Sequence, residues 1–287
     1  MKLNIFLITI LTLFTFSSCQ TQSPNHSKKE NEMVAKIVEK NSYVHAHGMP
    51  YKGKILMVAS SPATSKQTGW PIGFWAAELT HPLHVFQEAG YEVELASTEG
   101  GKIVMDSYSN PTDASGYSAH DVISLGYMQL DWFNRMLDNT KKLTEVNTTD
   151  YDAVFLVGGQ GPMYTFKDNH DLEKLFANFY ESGKPSAAVC HSATLLLGAK
   201  KSDGTLVVEG KTWTGFANAE EEYADKAVGQ KIQPYWIEEE ALKLPNTIFK
   251  VAAPFSSYAI ADGNLITGQQ QNSGAAAARL VVQQLSK

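Results

Sequence analysis

Lys54 to Ser60, KILMVAS, is an unbroken apolar run that stops at Ser-Ser-Pro. That is the pattern of a strand buried on both faces, because a half-exposed strand would alternate. GFWAAELTHPLHVFQEAGYEVELAST follows, with apolar positions at helical spacing closed by Gly90 and a second strand predicted at Glu92 to Ser97. DAVFLVGGQG predicts a third buried strand ending in glycines, NHDLEKLFANFYESGKP a helix stopped by Gly-Lys-Pro, and SAAVC a fourth strand. Strands alternating with helices in this way predict an α/β fold whose mainly parallel sheet is covered by helices on both faces. Small insertions at residues 100–150 and 202–244 interrupt the rhythm, and neither is long enough to predict a core of its own. The C-terminal stretch predicts a hairpin around Asp262-Gly263, a glycine loop and a final alanine-rich helix.

The polarity pattern changes the picture at the N-terminus. Lys2 precedes an apolar stretch from Leu3 to Phe16, too short to span a bilayer comfortably and suited to the core of an export signal. Ser17 and Ser18 directly before Cys19 resemble a bacterial lipobox, although Phe16 stands where Leu is usual. The expected organisation is a signal peptide at residues 1–18, a polar tether at 19–53 and an α/β domain at 54–287. Cys19 would be lipidated and would anchor an exported bacterial protein to a membrane on the periplasmic side. His45 and His47 lie in the tether with no acid or cysteine nearby and are assigned nothing. The formal charge of -6, with no Lys/Arg run interleaved with aromatics, argues against a nucleic-acid partner.

Cysteine occurs only at 19 and 190. If Cys19 carries lipid, Cys190 is an unpaired thiol in an oxidising compartment and calls for a chemical reason. It sits where the fourth strand passes into a predicted helix, at the sheet edge where α/β proteins bind ligands. Two places either side are Ala188 and Ser192, small enough for the sharp turn of a nucleophile elbow. The N-terminus of the following helix is expected to favour a thiolate. The plain alternative is a small buried core cysteine. His191 can reach the sulfur only if a strained elbow turns neighbouring side chains into one cleft.

AAVCH after Gly-Lys-Pro, VFLVGGQG upstream, GFWAAELTHPLHVFQEAGYEVELASTEGG, TGFANAEE and DGNLITGQ together resemble the ThiJ/PfpI superfamily, from about Lys54 to the C-terminus. The long insertions resemble its larger branch, that of the glutathione-independent glyoxalases (glyoxalase III) and heat-inducible chaperones. The resemblance implies a class I glutamine amidotransferase-like, flavodoxin-like three-layer sandwich and a homodimer. It implies a nucleophilic Cys190, a base at His191, and Glu78 beside the thiol. Glu221 would orient the histidine, with Glu220 as the alternative, and Gly158, Gly159 and His191 would serve the oxyanion. The implied reaction turns a small 2-oxoaldehyde such as methylglyoxal into a 2-hydroxy acid, lactate, with no cofactor and no metal. His81 and His84 at helical spacing have no further ligands in the sequence and read as ordinary helix residues. A holdase chaperone and a deglycase or amide hydrolase are the alternative functions. Gln160 and Ser192-Ala193 depart from the His and Gly-Pro usual at these places, which leaves the substrate open.

Overall fold

The computed structural model describes residues 50–287. Cys19, His45, His47 and the expected signal peptide lie outside the described residues.

The run Lys54–Ala59 forms β1, and its side chains divide by parity: Ile55 and Met57 enter one apolar layer, Leu56 and Val58 the other. With both faces covered there is no position for a polar partner, hence the continuous apolar sequence. Helix α1 (Ala76–Glu88) leads to β2 (Glu92–Ser97), which lies parallel to β1 with Val93 opposite Ile55. The first insertion supplies α2 (Val122–Met128), α3 (Asp131–Asp138) and the edge strand β3 (Lys141–Lys142). β4 (Ala153–Leu156), α4 (His170–Glu181) and β5 (Ser186–Val189) restore the alternation. The second insertion carries α5 (Asn218–Val228), and the chain ends in β6 (Ala259–Asp262), β7 (Leu265–Gly268) and α6 (Gly274–Leu285).

These strands form one sheet in the order β6-β7-β5-β4-β1-β2-β3, in which only the β6–β7 hairpin is antiparallel. Gly263 turns that hairpin with φ +66°, a value that suits glycine. Helices α1 and α6 cover one face through Leu79, Leu83, Phe86 and Val281. Helix α4 covers the other through Leu172, Phe176 and Phe179, giving the expected three-layer sandwich. Strand order reverses between β1 and β4, so a crevice opens beyond their carboxyl ends. β5, which delivers Cys190, is the next strand along.

The first insertion also adds to the sheet, since β3 pairs with Ala96 and Ser97, which a Lys-Lys pair does not announce. One sequence expectation changes. The fourth strand ends at Val189, one residue early, because Cys190 leaves it in a left-handed conformation.

Candidate active site

Cys190 has φ +61°, a value that costs a residue with a side chain about 1–3 kcal/mol unless its surroundings hold it. Ser192 supplies the hold. Its hydroxyl accepts the Val189 N–H at 2.8 Å and lies 3.0 Å from the Leu156 carbonyl and 2.7 Å from that of Val189. The serine thus ties the elbow to β4 as well as to β5. Residues Cys190–Leu197 continue as tight 3₁₀ turns rather than the α-helix expected from sequence.

The elbow turns Cys190 and His191 toward each other, with Sγ 3.3 Å from Nδ1. On the far side of the ring, Nε2 lies 3.0 Å from Oε1 of Glu221. Phe216 stacks on the imidazole at 4.2 Å between centroids, 25° from parallel, and leaves the ring one orientation. Glu221 is therefore the acid that meets the histidine. Glu220 is also buried but is occupied elsewhere: Oε2 accepts the Ala217 N–H, and Oε1 accepts from the Phe255 N–H and the Gln269 amide. Successive residues at a helix start point in different directions, and only one of these reaches the ring.

Glu78, in the first turn of α1, is fully buried and borders the sulfur. Neither of its oxygens has a hydrogen bond of ordinary geometry, and the polar groups facing it are the Cys190 thiol and the Gly158 N–H. Burial pushes its pKa well above the usual carboxylate range, aided by Asp106 and opposed by those two groups. A carboxyl this buried, with only those two groups facing it, favours its protonated form.

Burial also pushes the Cys190 thiol up, a charged Glu78 would push it further, and the N–H groups of His191 and Gly159 pull it down. This direction runs against the lowered thiol expected from a helix N-terminus: desolvation outweighs the two N–H groups that face the sulfur, and the segment that follows is not an α-helix. In the same way burial raises Glu221, against the opposing pull of His191.

Gly158 and Gly159 are required by space. A Cβ on Gly158 would lie 2.1 Å from Glu78 Oε2, and one on Gly159, where φ is +116°, 2.4 Å from the Trp75 nitrogen. Since the Gly158 N–H faces Glu78, the donors left facing sulfur are the N–H groups of Gly159 and His191.

Asp106, in the first insertion, escaped the sequence reading. It is buried and cradles the loop: Oδ1 accepts the Gly73 N–H at 2.9 Å and Oδ2 the Gln160 N–H at 2.6 Å. No motif marks a lone aspartate, and only the fold brings it to the glycines. Burial raises its pKa from 3.8 to about 6 despite those two donors. The folded protein thus holds this proton more tightly than the unfolded chain does. Its stabilising contribution, on the order of 3 kcal/mol, is full below about pH 4 and is lost as pH rises through about 6. We expect unfolding free energy measured across that window to fall with pH in the wild type, and to fall less in Asp106→Asn by about that amount. Parallel profiles would refute this.

Residues 72–284 match the DJ-1/PfpI family. The chain belongs to that family. Among DJ-1/PfpI relatives, the probable glutathione-independent glyoxalase hsp3103 of Schizosaccharomyces pombe is 30% identical over 262 residues, covering 83% of this chain and all of the relative. The glutathione-independent glyoxalase HSP31 of Saccharomyces cerevisiae is 30% identical over 223 residues, covering 77% and 92%. The crystal structure of glyoxalase III from Candida albicans superposes with a TM-score of 0.69 over 82% of this chain and 98% of that one, at 24% identity, and so agrees in fold.

In this DJ-1/PfpI chain His81 and His84 are engaged with acids. His81 Nε2 lies 2.9 Å from Asp121 Oδ1, and His84 Nε2 3.4 Å from Glu88 Oε1. Among the described residues, no group of three or more His, Cys, Asp or Glu is placed to hold a metal ion. Cys190, His191 and Glu221 open onto a cavity of about 120 Å³ that Gln160 also lines.

Proposed function

We propose that this chain is a cysteine-dependent, glutathione-independent glyoxalase that converts methylglyoxal-type 2-oxoaldehydes to 2-hydroxy acids. The observation that carries the reading is the line Glu78, Cys190, His191, Glu221: a buried carboxyl on one side of the sulfur and an oriented base on the other. Membership of the family and the names of its relatives support the same activity.

The sulfur attacks the aldehyde carbon as the thiol proton passes to His191 Nδ1, and the new C–S bond makes a hemithioacetal. Its oxygen sits where the N–H groups of Gly159 and His191 converge, while Glu221 balances the charge on the imidazolium. The imidazolium returns its proton to that oxygen; His191, neutral again, then takes the proton from the former aldehyde carbon while Glu78 delivers its own to the neighbouring carbon, the hydroxyl proton passes to the neighbouring oxygen, and the imidazolium restores the proton of Glu78. The product is a thioester of the 2-hydroxy acid. Water breaks the C–S bond, releasing lactate and restoring the thiol. The substrate is oxidised at one carbon and reduced at the next, so no external redox partner enters.

The deciding experiment incubates the purified protein with methylglyoxal and no added thiol. Lactate should accumulate in step with methylglyoxal consumed, and consumption without lactate would sink the reading.

To the same proposal belong a domain beginning near Lys54, export, an anchor at Cys19 placing the enzyme on the periplasmic side of a membrane, and a homodimer. Their support is the signal-like sequence before Gln20 and the family resemblance.

A further inference from the structure

Above the sulfur the cavity is bounded by aromatic rings. Trp70 and Tyr108 lie 5.9 Å apart between centroids, Tyr108 and Tyr117 6.4 Å, and Tyr117 and Trp75 5.9 Å, forming a continuous chain of rings. Tyr223 on α5 and Phe255 add a second pair 5.1 Å apart. Among the described residues no lysine or arginine lines the space, and the one carboxyl that does, Glu221, is held by His191.

The two carbonyl groups of a 2-oxoaldehyde occupy the end of this cavity at Sγ, so its side chain must occupy the aromatic part. A dry apolar cavity of roughly 150 Å³ takes up benzene, so a space of about 120 Å³ is on the scale of a ring. The methyl group of methylglyoxal would leave most of these rings untouched. An aryl or branched side chain would meet them edge-on or offset, the arrangements aromatic pairs prefer. A phosphate or carboxylate on the substrate would lose its hydration and find no cation.

We propose that the preferred substrates are 2-oxoaldehydes with an aryl or bulky apolar side chain, of the phenylglyoxal type, with methylglyoxal the poorer one. This rests on the glyoxalase reading above and specifies its substrate. Atoms balance as before: phenylglyoxal and one water give mandelate. The aldehyde carbon is oxidised, the ketone carbon is reduced, and the C–S bond formed on addition is broken by water.

The test measures kcat/KM for methylglyoxal, isobutylglyoxal and phenylglyoxal on the purified full chain without added thiol. Inhibition of methylglyoxal turnover by lactate and by mandelate is measured alongside. Values should rise with side-chain size, phenylglyoxal exceeding methylglyoxal by about 30-fold or more, since one methylene in an apolar pocket is commonly worth about 10-fold or more. Mandelate should inhibit at a concentration at least about tenfold below that of lactate, an arm that does not depend on how reactive each aldehyde is. Tyr117→Ser should lower the phenylglyoxal-to-methylglyoxal ratio by about tenfold. Normal methylglyoxal turnover with an equal or lower value for phenylglyoxal overturns the proposal and leaves the glyoxalase reading standing. Conversion of none of the three overturns that reading, and the proposal with it.

Discussion

Cys190→Ala should yield a folded protein whose lactate formation falls by roughly 10⁴-fold or more, the scale on which deleting a covalent nucleophile acts in a comparable triad. The fold should hold because alanine keeps the Cβ that already sits at φ +61°, and the Ser192 bonds that fix the elbow do not involve the sulfur. Circular dichroism and the unfolding midpoint would verify that. Iodoacetamide provides the complementary measurement on the wild type: turnover should be lost in step with modification of Cys190. Modification should be slow near pH 6 and accelerate with rising pH, because burial and any charge on Glu78 hold the proton on sulfur. An alkylated enzyme with full turnover would be incompatible with covalent catalysis.

Glu78→Gln should separate thiol chemistry from proton transfer. Glutamine keeps the size and can still present a donor to sulfur, but it cannot exchange a proton with the substrate. Lactate formation should fall by about 10² or more, the scale of a lost general acid or base. Iodoacetamide should still modify Cys190 within a few-fold of the wild-type rate. Stability provides a third reading. Because burial raises the folded-state pKa of Glu78, its contribution is complete below the unfolded value near 4.5 and declines as pH rises toward the folded value. The variant should therefore gain on the wild type in unfolding midpoint as pH increases. Normal turnover by Glu78→Gln would assign proton transfer to His191 alone, and loss of alkylation would make Glu78 a group that shapes the sulfur's reactivity.

The site divides according to how each residue is marked in the sequence. Cys190 and His191 are adjacent, flanked by small residues at a strand end, and a motif of that kind is local. Gly158 and Gly159 close a buried strand, and there too the pattern is local. Glu78 lies far from the cysteine in sequence and is marked there only through the family resemblance. Asp106 and the rings of Trp70, Tyr108, Tyr117, Tyr223 and Phe255 carry no local signal. They come from the segment before α1, the first insertion, α5 and the segment before β6, which converge only in the folded chain.

The sequence alone determined the parallel α/β sheet, since strands buried on both faces must be written as continuous apolar runs and their crossovers as amphipathic helices. It also determined the elbow, since only small residues fit beside a nucleophile at so sharp a turn. The tertiary structure alone decided which glutamate meets His191, because Glu220 and Glu221 are equivalent in composition and differ only in the direction of their side chains. It likewise decided the protonation of the site. Burial beside other acids raises the proton affinity of Glu78 and of Cys190, and desolvation is a property of the assembled environment that no stretch of sequence contains.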